Sequence, residues 1–246
     1  MSINFYTIYQ KLHNFCINEL GGFYLDIIKD RQYTLQKASI ARRSAQTALY
    51  HVAQAMVRWI APILSFTAET LWQHLPGPRE DSVLLTEWYA LPLSTHDPLT
   101  AIYLEENGLI YWESLRLVRN EVNKVIEKQR MSGQLGSSLE AEVRLYLMPE
   151  TPLARALSAI QSELKFVLIT SDASLELGNI PESIPTVTVE QQTLGIEVTS
   201  TLGHKEKCAR CWHRCADIGQ NSEHPTLCQR CVLNLPHGPG EVRHYA

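Results

Sequence analysis

The chain has no run approaching the ~18 apolar residues of a membrane-spanning helix, so none of its 246 residues reads as a span. Its start, Met1-Ser-Ile-Asn-Phe-Tyr6, lacks the basic and apolar regions of a secretory leader. Basic character is missing too. The 22 Lys and Arg face 26 Asp and Glu, a formal net charge of −4, so composition alone does not advertise nucleic-acid binding. No internal repeat or low-complexity tract is visible. Cysteine is sparse: there are six, and four of them fall within residues 208–231. That clustering, with no leader ahead of it, argues against a secreted disulfide scaffold. What remains is a globular composition, 45% hydrophobic and 20% charged. The expected compartment is the cytoplasm, where thiols stay reduced. The length allows one large domain or two to three small ones.

The clustered cysteines read Cys208-Ala-Arg-Cys211 and Cys228-Gln-Arg-Cys231, with sixteen residues between the pairs. Two C-x-x-C turns at that spacing are a four-thiolate zinc pattern. Each turn offers two sulfurs, and the intervening chain folds back to complete a tetrahedron. The expected ligands are Cys208, Cys211, Cys228 and Cys231, around one structural Zn²⁺ with no open position for catalytic water. Cys215 would need a C-x₃-C pairing and is left out, as are His213 and His224. Residues 205–246 carry six basic and four acidic groups. Four thiolates on Zn²⁺ make a dianion, so Lys207, Arg210 and Arg230 either screen that charge or contact nucleic acid.

The first hundred residues read as helices. Phe5, Ile8, Tyr9, Leu12 and Phe15 recur at helical spacing, with Asn4 as N-cap and Gly21-Gly22 as the stop. A second helix is expected over 22–33, with Phe23, Ile27 and Ile28 inward. A third starts near Ser39 and carries Ile40, Ala45, Ala48, Leu49, Val52, Met56, Trp59 and Ile60. Pro62 opens a fourth, which ends at Leu75-Pro76-Gly77. Residues 79–100 read as loop, with Pro92 and Pro98 and a short segment over 83–89. A long amphipathic helix is expected from about 98 to 130, with Leu109, Trp112, Leu115, Val118, Val122, Val125 and Ile126 on one stripe. After a turn-rich break at 131–138 the period changes to two: Ala141, Val143, Leu145 and Leu147 mark a half-buried strand. Residues 153–164 read as a helix and Phe166-Val-Leu-Ile169 as a buried strand, with short strands at 174–177, 186–189 and 195–199. The expected fold is mostly α. A helical bundle with its connecting helix (1–135) is followed by a small α+β unit (136–202) and a C-terminal Cys₄ zinc knuckle or ribbon (203–246).

Several stretches carry a family resemblance: Gly22-Phe-Tyr-Leu-Asp-Ile-Ile-Lys-Asp-Arg-Gln-Tyr33, Ala41-Arg-Arg-Ser-Ala-Gln-Thr-Ala-Leu-Tyr50, Ala61-Pro-Ile-Leu-Ser-Phe-Thr-Ala-Glu-Thr-Leu-Trp72 and Val122-Asn-Lys-Val-Ile-Glu127. Together they resemble the anticodon-binding bundle of class I aminoacyl-tRNA synthetases for branched aliphatic amino acids. The knuckle, Lys207-Cys-Ala-Arg-Cys-Trp-His213 closed by Cys228-Gln-Arg-Cys-Val232, narrows the resemblance to the bacterial isoleucine branch. The family's His-Ile-Gly-His and Lys-Met-Ser-Lys-Ser signatures do not occur in this chain. The resemblance therefore implies a C-terminal fragment with no catalytic residues, inactive alone. It would be a monomer whose partners are tRNA for isoleucine and the missing catalytic and editing domains, and ATP would serve only the full-length enzyme. A stand-alone tRNA-binding module acting in trans and a protein-binding zinc ribbon are the competing readings.

The implied work is to hold an anticodon arm. Loop bases are read by stacking on aromatic or guanidinium planes and by hydrogen bonds to their edges. Trp212, next to the ligand Cys211, is a candidate stacking platform; alternatively it packs over the metal. Arg210, Arg214, His213 and Lys207 flank it. In the bundle, Lys29, Arg31, Arg42 and Arg43 are candidate RNA contacts. The alternatives there are compensation of a helix end by Lys29 and Arg31 and pairing of Arg42 and Arg43 with Asp26 or Asp30. Glu69 and Trp72 read as structural.

Overall fold

The structure, a computed structural model, describes residues 4–91 and 106–245. The prolines at 92 and 98, the expected helix start near 98 and the side chain of Leu109 lie outside what it describes. Helix α1 spans Phe5–Asn14 and is capped as its sequence predicts, the Asn4 side chain accepting from the Thr7 amide at 3.2 Å. The Gly21-Gly22 pair does not stop the helix. It sits inside a π-helical segment, Phe15–Leu25. The wider turn brings backbone close: a Cβ on Gly21 would lie 2.8 Å from the Cys16 carbonyl oxygen. Here glycine permits a wide turn rather than ending a narrow one.

Helix α2 follows at Lys29–Thr34 and α3 at Ile40–Ile60, the latter capped by Ser39, whose hydroxyl accepts from the Arg42 amide. Ile27, Ile28 and Ala45 are buried together, with Phe23 and Leu49 against them. Of the apolar positions that mark α3 in the sequence, Ile40 and Ala48 are exposed. Pro62 lies in the turn ahead of α4, Ser65–His74, rather than in its first turn. Trp72 is buried and donates to the Glu80 carbonyl, while Glu69 accepts from the Ser82 hydroxyl and the Val83 amide. Both residues of the shared motif are thus structural: they fold the 80–83 loop back onto α4.

Helix α5, Glu106–Met131, turns its stripe of Leu115, Val118, Val122 and Ile126 onto a sheet. That sheet has the order β2-β1-β4-β3, with β1 Ala141–Leu147, β2 Asp172–Leu177, β3 Thr186–Val189 and β4 Gln192–Ser200. β1 runs parallel to β2 and antiparallel to β4. The period-two residues of β1 face inward with Leu194 and Ile196, and the crossover helix α6, Pro152–Ala159, covers them with Leu153 and Leu157. The run at 166–169 is not a strand. It belongs to helix α7, Leu164–Leu168, with Ile169 left-handed at φ 57° as its C-cap. A short apolar run has no period that separates a buried strand from a buried helix. The zinc-pattern segment adds a two-stranded ribbon, β5 Glu206–Lys207 with β6 Arg214–Cys215, and helix α8, Gln229–Leu233. No helix among the described residues is long and apolar enough to cross a membrane.

Candidate zinc centre and nucleic-acid interface

The two C-x-x-C turns form the way a metal knuckle requires. The Trp212 amide donates to the Cys208 carbonyl, closing the first turn, and the Val232 amide donates to the Cys228 carbonyl, closing the second. All four cysteines are buried, and their sulfurs lie within 4.8 Å of one another. Four Zn–S bonds of about 2.3 Å in a tetrahedron hold sulfurs about 3.8 Å apart. The Cys211 and Cys228 sulfurs are 3.7 Å apart. The Cys228 amide points at the Cys208 sulfur at 3.4 Å, as suits a thiolate acceptor. The donor set, its burial and its spacing fit one structural Zn²⁺. Cys215 is only partly buried beside the cluster.

The residue after Cys211 turns outward. Trp212 has φ 67°, a left-handed conformation that is uncommon for a bulky side chain. The residue is 60% exposed. It therefore does not pack over the metal; the knuckle presents it to solvent. The Lys207 ammonium sits 5.2 Å from the ring centroid on one face. Trp212 borders a cleft of about 440 Å³ that is also lined by Lys29, Asp30, Tyr33 and Thr34 of α2 and by Phe166 and Ile169. Tyr33 is 78% exposed.

The nine cationic or aromatic candidates part company here. Trp212, Lys207, Lys29 and Arg43 are exposed. Lys29 pairs with Asp26 at 2.8 Å at the rim of the cleft. Arg42 is half-buried and donates to the Leu35 carbonyl, so its pairing is with backbone and not with Asp26 or Asp30. The other four are turned inward. Arg31 is buried, with one nitrogen 3.5 Å from the Ala41 carbonyl. His213 is buried edge-on against Phe166, 5.9 Å between centroids, and burial followed by the nearby Arg230 charge holds its pKa down at about 4. Arg214 donates to Glu140 at 3.0 Å and its amide to the Ser171 hydroxyl, fastening the knuckle to the α+β unit. Arg210 donates to the Thr34 carbonyl at 2.9 Å. Adjacency to a ligand in sequence does not imply exposure, because a two-residue turn alternates its side chains between solvent and the neighbouring module.

What the residue pattern did not single out is Asp30. Its carboxylate receives both terminal nitrogens of Arg230, each at 2.7 Å, and a further bond from Arg243. Burial alone would raise its pKa; the Arg230 hydrogen bonds and charge, with Arg243, pull it down to about 2. Nearby, Glu163 accepts the amides of His244 and Tyr245, which seats the last residues on the α+β unit. Gln36 donates to the Leu235 and Gly238 carbonyls. A buried charge surrounded by groups from distant sequence leaves no periodic trace, so only the abundance of arginine near the cysteines could have pointed to it.

With this geometry in view, comparison with known proteins is informative. Residues 2–145 match the family model described as the anticodon-binding domain of tRNA ligase. The chain belongs to that family. Residues 205–234 match a second model, described as the zinc finger found in FPG and IleRS. Among similar proteins is the isoleucine–tRNA ligase of Teredinibacter turnerae, 52% identical over 247 residues, covering 100% of this chain and 25% of that protein. Those of Stutzerimonas stutzeri and Alkalilimnicola ehrlichii are each 48% identical over 98% of this chain, which covers 24% and 25% of them. The chain thus spans about a quarter of the length of the curated relatives it matches.

Proposed function

We propose that this chain is the anticodon-arm-binding part of an isoleucine–tRNA ligase, the enzyme that joins isoleucine to its tRNA using ATP. The observation that carries the reading is the cleft in which the anticodon-binding helices and the zinc knuckle meet, with Tyr33 on one wall and Trp212 on the other. An unstacked loop base fits between or upon such rings. Stacking of this kind contributes about 1–3 kcal/mol per base. Lys207 sits over the Trp212 ring, while Lys29 at the rim and Arg43 on α3 offer charge to phosphates. Zinc, when bound, fixes the backbone that carries Trp212. No step of charging chemistry is assigned to this chain. ATP, the activation of isoleucine and editing belong to the remainder of the longer enzyme, which would work in the cytoplasm as a monomer. Its working division would be residues 1–135, 136–202 and 203–246.

The test is a filter-binding titration with isoleucine tRNA and with the same tRNA altered in its anticodon. Tighter binding to the native anticodon, weakened by Trp212→Ala, is expected. Equal affinities for the two tRNAs would move the chain to a general RNA-binding or protein-binding role. Isoleucine-dependent ATP–pyrophosphate exchange by the 246-residue chain would overturn the assignment of chemistry elsewhere.

A further inference from the structure

The two C-x-x-C turns share more than their ligands: each has arginine as its third residue, and both arginines cross to one turn of α2. Arg230 meets the Asp30 carboxylate as a fork, two nitrogens on two oxygens at 2.7 Å. Arg210 meets the Thr34 carbonyl at 2.9 Å. Asp30 and Thr34 are four residues apart and so share one helix face. Arg243, from the chain's last residues, adds a second guanidinium to Asp30. The side chains of Asp30 and Arg230 are only 14% and 16% exposed. On the same short helix, next to Thr34, Tyr33 is exposed and lines the cleft. The residues that alternate with the zinc ligands therefore hold the helix that carries one cleft wall, and the residue following a ligand, Trp212, is the other wall.

We infer that Asp30, which lines the cleft but has its carboxylate taken up by Arg230 and Arg243, is a positioning residue for RNA binding: it fixes the separation and angle between Tyr33 and Trp212 by latching α2 to the zinc knuckle. This rests on the reading of the cleft as the site of a loop base. A buried ion pair is weak grounds for stability, since apolar residues of the same size often serve as well. A bidentate fork is different in what it specifies. It admits one distance and one plane between the two partners, which is what a two-walled stacking site needs. Asp30→Asn keeps the volume but replaces one acceptor oxygen with a donor facing an arginine donor, so the fork loses half its bonds.

The experiment uses the 246-residue chain with zinc content checked by metal analysis. The probe is a fluorescein-labelled anticodon stem-loop of isoleucine tRNA. Asp30→Asn and Trp212→Ala are each expected to weaken binding about thirtyfold, the middle of the stacking range. The double variant is expected to be no weaker than either alone, because there is one cleft to lose. A double variant weakened by the product of the two factors would overturn the latch, as a general loss of fold would behave that way. Asp30→Glu, which retains the carboxylate, should recover most of the binding; failure to do so counts against it. A second readout does not involve RNA. Hydrogen exchange of the α2 amides should rise in Asp30→Asn while that of β1 stays unchanged, and unaltered α2 exchange would overturn the latch even where the RNA reading holds. Wild-type affinity in Trp212→Ala would overturn the cleft reading and, with it, the RNA role of Asp30. Should Asp30→Asn not fold, Arg243→Gln withdraws one of the two guanidiniums and carries the same readouts.

Discussion

Removing the metal should unfold one part of this chain and spare the rest. Among the described residues, the apolar interior of the zinc segment is its four cysteines, with Cys215, Ile218 and Leu227 partly buried against them. Fully burying an aliphatic side chain stabilises by about 1.5–3 kcal/mol. Ile218 and Leu227 together therefore supply no more than about 6 kcal/mol, and less because they are only partly covered. Structural zinc contributes about 10–16 kcal/mol of apparent binding energy in finger peptides. With the metal gone, residues 205–234 have no comparable source of order. The sheet, by contrast, has its own core, from Leu115 on α5 through Leu145 and Leu157 to Ile196. The helices keep theirs at Val57, Ala68 and Trp72. Chelation should therefore expose the chain from about 205 onward to protease while a core that includes α5 and the sheet resists. Far-UV circular dichroism should change little, since the segment contributes the five-residue helix α8 and the two-residue strands β5 and β6. Limited proteolysis with mass analysis is the assay. A zinc segment equally resistant before and after chelation would refute the reasoning, and so would collapse of the sheet core.

Leu145→Ala, at a fully buried position in the middle of β1, should cost about 2–5 kcal/mol in urea unfolding with RNA binding retained in the folded fraction. The Asp30 carboxyl, held near 2 rather than its ordinary 3.8, corresponds to about 2 kcal/mol at neutral pH. Because that pKa is lowered on folding, the contribution is complete above the unfolded value and fades only as pH falls from about 4 toward 2. The stability difference between wild type and Asp30→Asn should then be flat from pH 8 to about pH 5, and a difference that vanished by pH 5 would mean the ion pair is not formed. Gly21→Ala would set a Cβ 2.8 Å from the Cys16 carbonyl, a backbone atom that cannot step aside, and should destabilise the π-helical segment by about 1–3 kcal/mol in thermal unfolding. If Lys29, Lys207 or Arg43 contacts phosphate, alanine there should flatten the dependence of log affinity on log salt by about one unit each.

The parts of this molecule that were legible in its sequence are those where the chemistry is local. A C-x-x-C turn is four residues long, and its ligands can be named from spacing. Period-two burial in β1 and the capping of α1 by Asn4 and α3 by Ser39 are likewise decided within a few residues. What was not legible depends on neighbours supplied by the fold. Gly21 and Gly22 look like a stop until α5 is brought alongside, where Arg119 donates to the Gly22 carbonyl at 2.9 Å and pairs with Asp26, pinning the wide turn. The run at 166–169 is equally apolar as strand or helix. Its neighbours decide, since Phe166 ends under the guanidinium of Arg243, 3.4 Å from its ring centroid. The arginines of the knuckle make the same point at the functional site. Read along the chain, Arg210 and Arg214 flank Trp212 and look like three members of one RNA surface. In the fold they are divided, Arg210 going to α2, Arg214 to the α+β unit, and Trp212 alone to solvent. Such a division is what a rigid platform requires. A tryptophan on a small metal-held turn can offer one fixed plane to a base only if the turn is anchored on both sides, and the charges beside it are used for that anchoring. The basic residues used in that anchoring, Arg210 and Arg214, are therefore the poorest candidates for RNA contact, and the exposed Lys207 and Lys29 the better ones.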